Sequence, residues 1–99
     1  MEYEMSAEDL SCTWEEDGEL KVEELDKKIL SKGAWVTIMY LYRDRKGDGS
    51  WGPAKVRIQR YRKQHGKYSS QSKFNISSGK QAKKIVDYLT EWYKDEFED

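Results

Sequence analysis

The residues able to carry out chemistry are few and scattered along this 99-residue chain. The single histidine, His65, sits before Gly66 in a polar turn with no serine, cysteine or carboxylate motif beside it, so a general base would lack its partners. The single cysteine, Cys12, has no second thiol for an internal disulfide and no Cys/His set for structural zinc, which suits a reducing, cytoplasmic compartment. Gly47-Asp48-Gly49-Ser50-Trp51-Gly52 matches the glycine pattern of a dinucleotide site. Pro53 and a further strand follow it, however, where that site needs a helix N-terminus to hold pyrophosphate. Asp44-x-Lys46-x-Asp48-Gly49 has the spacing of a calcium loop, but Lys55 stands at the position of the bidentate carboxylate. A nuclease would need clustered carboxylates for its metals, and Asp44 and Asp48 are the only acids between residues 27 and 84. The expectation is a chain without catalysis, metal or cofactor.

What the chain does have is charge segregated by sign. Residues 1–26 hold eleven acids against Lys21, residues 27–84 hold sixteen Lys/Arg against two acids, and residues 85–99 hold six acids against Lys94, giving −10, +14 and −5. The net charge of −1 conceals a basic block that attracts polyanions. A mean hydropathy of −1.05 leaves no segment able to span a membrane, and the acidic start lacks the pattern of an export signal.

Within the basic block, residues 54–63 alternate faces with the period of a strand. Ala54, Val56 and Ile58 fall on one side and Lys55, Arg57, Gln59, Tyr61 and Lys63 on the other. Cations for phosphates beside a ring for stacking suit a single-stranded nucleic acid. A solvated outer face with Tyr61 packing across strands is the plainer alternative.

The elements that must position these residues are read from period and turn signals. Residues 1–19 show no period and are expected to form an acidic disordered arm, with 20–99 as the binding domain. Residues 27–31, 35–43, 54–63 and 70–76 read as four strands, with Gly66 supplying a positive φ in the last hairpin. Ala82, Ile85, Val86, Leu89 and Tyr93 recur at helical spacing behind a capping pattern of Ser78 and Gln81. The fold class is therefore α+β: a four-stranded antiparallel sheet, β-β-β-β-α, with one C-terminal helix packed on one face. The strand at 35–43 is apolar on both sides, and Trp92 and Phe97 fall outside the helix stripe, so a homodimer is expected.

This order resembles the positive cofactor 4 family of transcriptional coactivators and their bacterial relatives over about residues 25–93. Tyr42-Arg43-Asp44-Arg45-Lys46-Gly47 is similar to that family's strand ending V-R-D-F-K-G, Val56-Arg57-Ile58-Gln59-Arg60-Tyr61 to its I-D-I-R-E-Y, and Phe74-Asn75-Ile76-Ser77 to its last short strand. The resemblance implies a dimer that binds single-stranded DNA or melted duplex with little sequence preference. Arg43 and Lys46 match basic residues of the motif. Arg45 replaces a stacking Phe, Gln59 a DNA-facing Arg, and Arg62 a Trp, while Trp51, Trp35 and Tyr61 are candidate replacements for the lost rings.

The expected interface is thus Arg43, Arg45, Lys46, Trp51, Lys55, Arg57, Gln59, Tyr61, Arg62, Lys63 and Lys73. The expected partners are single-stranded DNA or RNA, a second copy and the transcription machinery, in transcription, replication or repair. The rival is a protein-interaction module that uses the acidic arm and basic sheet. The arm itself is expected to dock on the basic strand as a competitor of nucleic acid, with Tyr3 and Trp14 mimicking bases.

Overall fold

The computed structural model describes residues 6–97. Five antiparallel strands follow one another in a simple meander, β1 (Trp14–Glu16), β2 (Glu19–Ser31), β3 (Trp35–Asp44), β4 (Lys55–Gln64) and β5 (Lys67–Ile76), and the helix α1 (Gly79–Phe97) closes the chain. The α+β class and the strand-then-helix order agree with the sequence, with one strand more than expected. Two hairpins are closed by two-residue turns whose central residues all have positive φ, Asp17 (53°) with Gly18 (79°) and His65 (54°) with Gly66 (78°). This turn geometry matches the twist of the flanking strands.

The sheet curls into a half-barrel. Extra residues at Leu25 and Leu30 bulge β2 against β3, and a third irregularity lies between Arg60 and Tyr61 of β4. Such insertions bend a strand and increase its twist. The inner face of the curl carries the core. Val36, Ile38, Tyr40 and Tyr42 alternate along β3 and are buried, opposite Tyr61, Gln59, Arg57 and Lys55 of β4 respectively.

Residues 6–19 close this core, which corrects the expectation of a disordered arm over that stretch, while residues 1–5 of the expected arm lie outside the described residues. Ala7–Asp9 form a short 3-10 helix, begun by Ser6, whose N–H donates to Asp9 Oδ2 at 2.9 Å. Ala7 and Leu10 enter the core cluster, and Cys12 packs beside it. Lys27 Nζ donates to the carbonyls of Glu8 (2.6 Å) and Leu10 (2.5 Å), Lys32 pairs with Glu8, and the Glu24 N–H donates to Thr13 Oγ1 at 3.1 Å. Residues 14–19 then add β1 to the sheet edge and begin β2. Tyr3 lies outside the described residues.

The helix begins as its sequence requires but is not packed down along its length. The Gln81 N–H donates to Ser78 Oγ (3.1 Å), while Gln81 Oε1 accepts from the N–H of Ser77 (2.7 Å) rather than from Ser78 itself. Ala82 and Ile85 are half-buried beside β5, where a hollow of about 420 Å³ separates Pro53 and Val56 from Ile76, Gly79 and Ala82. Beyond them Val86, Leu89, Tyr93 and Phe97 are exposed, Trp92 is 74% exposed, and the helix kinks at Tyr93. The outer sheet face is equally uncovered. Met39, Val56 and Ile58 are half-buried, and Leu41 and Phe74 (53%) are exposed beside them. Among the described residues, no helix is long and apolar enough to cross a membrane.

Candidate nucleic-acid interface

The alternation expected for β4 is present, but the roles of its two faces are exchanged. Lys55, Arg57, Gln59, Tyr61 and Lys63 belong to the inner face, with the core, and Val56 and Ile58 to the outer face. Tyr61 is 6% exposed, and its hydroxyl meets that of Tyr40 at 2.8 Å. Burial pushes both phenols above their ordinary ionisation range, helped at Tyr40 by the bond to Tyr61. Tyr61 is therefore a core ring rather than a stacking platform, because the folded N-terminal segment covers the inner face where an open sheet was expected. Gln59 is buried too, its Nε2 donating to Ser70 Oγ at 2.9 Å.

The remaining residues divide into three groups. At the β3–β4 turn, Arg43 and Arg45 each place a guanidinium 4.3 Å from the centre of the Trp51 ring, and Trp51 bridges back to Arg45 across the loop. These two cations are already engaged. Arg43 pairs with Glu23 at 2.7 Å, and Arg45 donates to the Leu20 carbonyl at 2.8 Å and lies 3.5 Å from Glu19. Lys46 stands exposed in the turn. Asp48 is absorbed by the loop itself, accepting from the Ser50 N–H and Oγ, which holds its carboxyl below the usual range.

On the inner face, Lys55 pairs with Asp44 at 2.8 Å, which raises the ammonium above its usual range. Arg57 lies 4.5 Å over the Tyr42 ring and donates Nε to Asn75 Oδ1 at 2.9 Å, so its two terminal nitrogens are the donors left to meet an anion. Lys73 of β5 pairs in register with Gln59 and is exposed. Lys63 is half-buried at the far end, 5.6 Å from the Tyr68 ring. Arg57, Gln59 and Lys73 line one groove of about 300 Å³, whose other wall is Ser11–Trp14.

On the outer face, Arg60 and Arg62 lie 4.3 and 5.4 Å over the Trp35 ring. The sequence reading passed over Arg60, although its i, i+2 spacing to Arg62 places both on one face. Cation–ring pairs arise about once per 70–80 residues in ordinary structures, and here they recur on Trp35, Tyr42, Trp51 and Tyr68. Each ring holds its cation close to the sheet surface, and a guanidinium can offer its remaining donors from such a position to phosphates or bases. The structure thus keeps Arg57, Gln59 and Lys73 together, separates them from the Arg43, Arg45, Lys46 and Trp51 turn, and turns Arg62 to the opposite face.

Trp14 was missed as a wall of this groove. An Asp17-Gly18 turn directly after Trp14-Glu15-Glu16 is the signal that could have found its strand. Comparison with protein-family models, curated proteins and solved structures finds no match.

Proposed function

We propose that this chain is a non-enzymatic binder of single-stranded nucleic acid, DNA in the first instance, that uses the β4–β5 half of its sheet as a homodimer. One observation carries the reading: β4 and β5 hold Lys55, Arg57, Arg60, Arg62, Lys63, Lys67 and Lys73 with no acid, whereas β1 and β2 hold Glu15, Glu16, Glu19, Glu23, Glu24 and Asp26 against Lys21, Lys27 and Lys28. Segregation in sequence becomes segregation across the strands, which scattered solubilising charges would not produce. The cations of β4 and β5 lie on a curled sheet rather than on a helix that could enter a groove, which favours a flexible strand over a duplex. The resemblance to the positive cofactor 4 family points the same way, and with it a role in transcription, replication or repair. A reducing, cytoplasmic compartment fits the lone Cys12.

A titration of labelled single-stranded DNA, single-stranded RNA and duplex at two salt concentrations tests this. Single strands should bind more tightly, and log affinity should fall by about 0.7 per log unit of salt for each phosphate neutralised. Equal affinity for duplex and single strands at physiological salt overturns the reading.

The dimer rests on the uncovered outer face and helix. In α1, Lys80, Lys83 and Lys84 fill the first two turns, and Asp87, Glu91, Asp95 and Glu96 outnumber Lys94 in the later ones. Two copies laid antiparallel about a twofold axis would set each basic half against an acidic half while covering Val86, Leu89 and Phe74. Light scattering at micromolar concentration should give twice the 11.8 kDa chain mass. A mass of one chain removes the dimer from the proposal.

A further inference from the structure

The N-terminal segment does more than cover the core: it converts part of the open inner face into a walled groove. Cys12, Thr13 and Trp14 form one side, and Arg57, Gln59 and Lys73 the other. Among the described residues none that lines the groove is acidic, and the nearest buried carboxylate is that of Glu24, whose charge, after burial itself, helps to push the Cys12 thiol up. The two walls differ in chemistry. Trp14 is 59% exposed despite pairing with Val22 at the sheet edge, so its ring has a free surface. Across from it, Arg57 is fixed by Tyr42 beneath and Asn75 beside it, and Lys73 extends from the outermost strand. Between them lies the buried Gln59, held by Ser70. At about 300 Å³ the space is at the lower limit of small-ligand sites, enough for one nucleotide unit.

We infer that this groove is a single-nucleotide subsite, in which a base stacks on Trp14 while its phosphate is held between Arg57 and Lys73. The inference rests on the single-strand reading and gives that reading a fixed point. The strand threads between the N-terminal segment and the β4–β5 edge, where stacking requires an unpaired base and the wall at Trp14 excludes a duplex. The N-terminal segment is then part of the binding site rather than its competitor. Removing its indole weakens binding instead of strengthening it.

The test uses the full chain and an oligothymidylate probe. Trp14→Ala should weaken binding about 5- to 160-fold, the loss expected for one stacked base, with an unchanged salt slope, because stacking releases no counterions. Trp14→Phe should recover most of it. Lys73→Ala should reduce the slope by about 0.7. The Trp14 indole N–H resonance should shift when the probe binds, and Cys12 should become slower to react with a maleimide. Far-UV circular dichroism checks that each variant is folded, which the exposure of both side chains favours. If Trp14→Ala binds like the wild type and its resonance stays still while Arg57→Ala weakens binding, the subsite is overturned and the single-strand reading stands. If the wild-type chain does not bind the probe, both fall together.

Discussion

Leu10→Ala should lower the unfolding free energy by about 2–5 kcal/mol, the range for truncating a buried leucine. A domain of this size is stable by roughly 5–15 kcal/mol, so the loss would move the denaturation midpoint far and leave a weak variant partly unfolded. The reason is the place of Leu10, 6% exposed and seated with Ala7 on Val36, Ile38 and Tyr40, although it lies in a stretch dominated by acids. The comparison variant is Glu8→Ala. Its carboxylate pairs with Lys32 at the surface and is held below its usual range by that contact, yet it is solvent-exposed, and truncation should leave the midpoint unmoved. Deletion through Thr13 should follow Leu10→Ala and destabilise the chain. Denaturant titration of the three variants decides the matter. A large shift for Glu8→Ala with none for Leu10→Ala would mean that charge, not packing, holds this segment.

Tyr61→Ala should cost about 3–5 kcal/mol, as loss of a buried ring does elsewhere, and should reduce nucleic-acid binding only by depleting folded protein. Tyr61→Phe isolates the hydroxyl. It keeps the ring but leaves the Tyr40 hydroxyl, in a fully buried side chain, without its 2.8 Å partner, a penalty of about 1–3 kcal/mol. Both phenols ionise less readily in the fold than in the unfolded chain, so unfolding releases their protons as pH passes the ordinary phenol value near 10. Stability is therefore complete below that value and falls as pH rises above it. Tyr61→Phe should reduce this alkaline loss. Thermal melts between neutral pH and pH 11 supply the measurement. A Tyr61→Ala chain as stable as wild type but deficient in binding would restore Tyr61 to the surface.

What the sequence made legible was the part whose signals are local. The alternation of residues 35–43 and 54–63, the His65-Gly66 turn and the helical stripe from Ala82 each correspond to an observed element. Which face of β4 points inward was not legible. Val56 and Ile58 look like the buried side, and only the N-terminal segment, distant in sequence, makes the Lys55–Lys63 side the inner one. That segment escaped because the core positions Ala7, Leu10 and Cys12, at successive intervals of three and two, sustain neither regular period. Composition compounded the error, since eleven acids in 26 residues resemble a solvated tail. Of the candidate site, the cations were identified by type, but which of them are already neutralised required three dimensions. Arg43, Arg45 and Lys55 are neighbours of Glu23, Glu19 and Asp44 only across strands or a loop.

The division of the sheet into an acidic edge at β1–β2 and a basic edge at β4–β5 also bears on how the molecule meets a charged chain in solution. A body with almost no net charge but opposite edges has an electric dipole lying across its strands. In the field of a polyanion it experiences little net pull and a definite torque. It would arrive turned with β5 foremost and β1 trailing, so that productive collisions are a larger share of all collisions than random tumbling allows. Salt would diminish this aim within a Debye length of about 8 Å at physiological ionic strength, so the alignment acts only in the last approach.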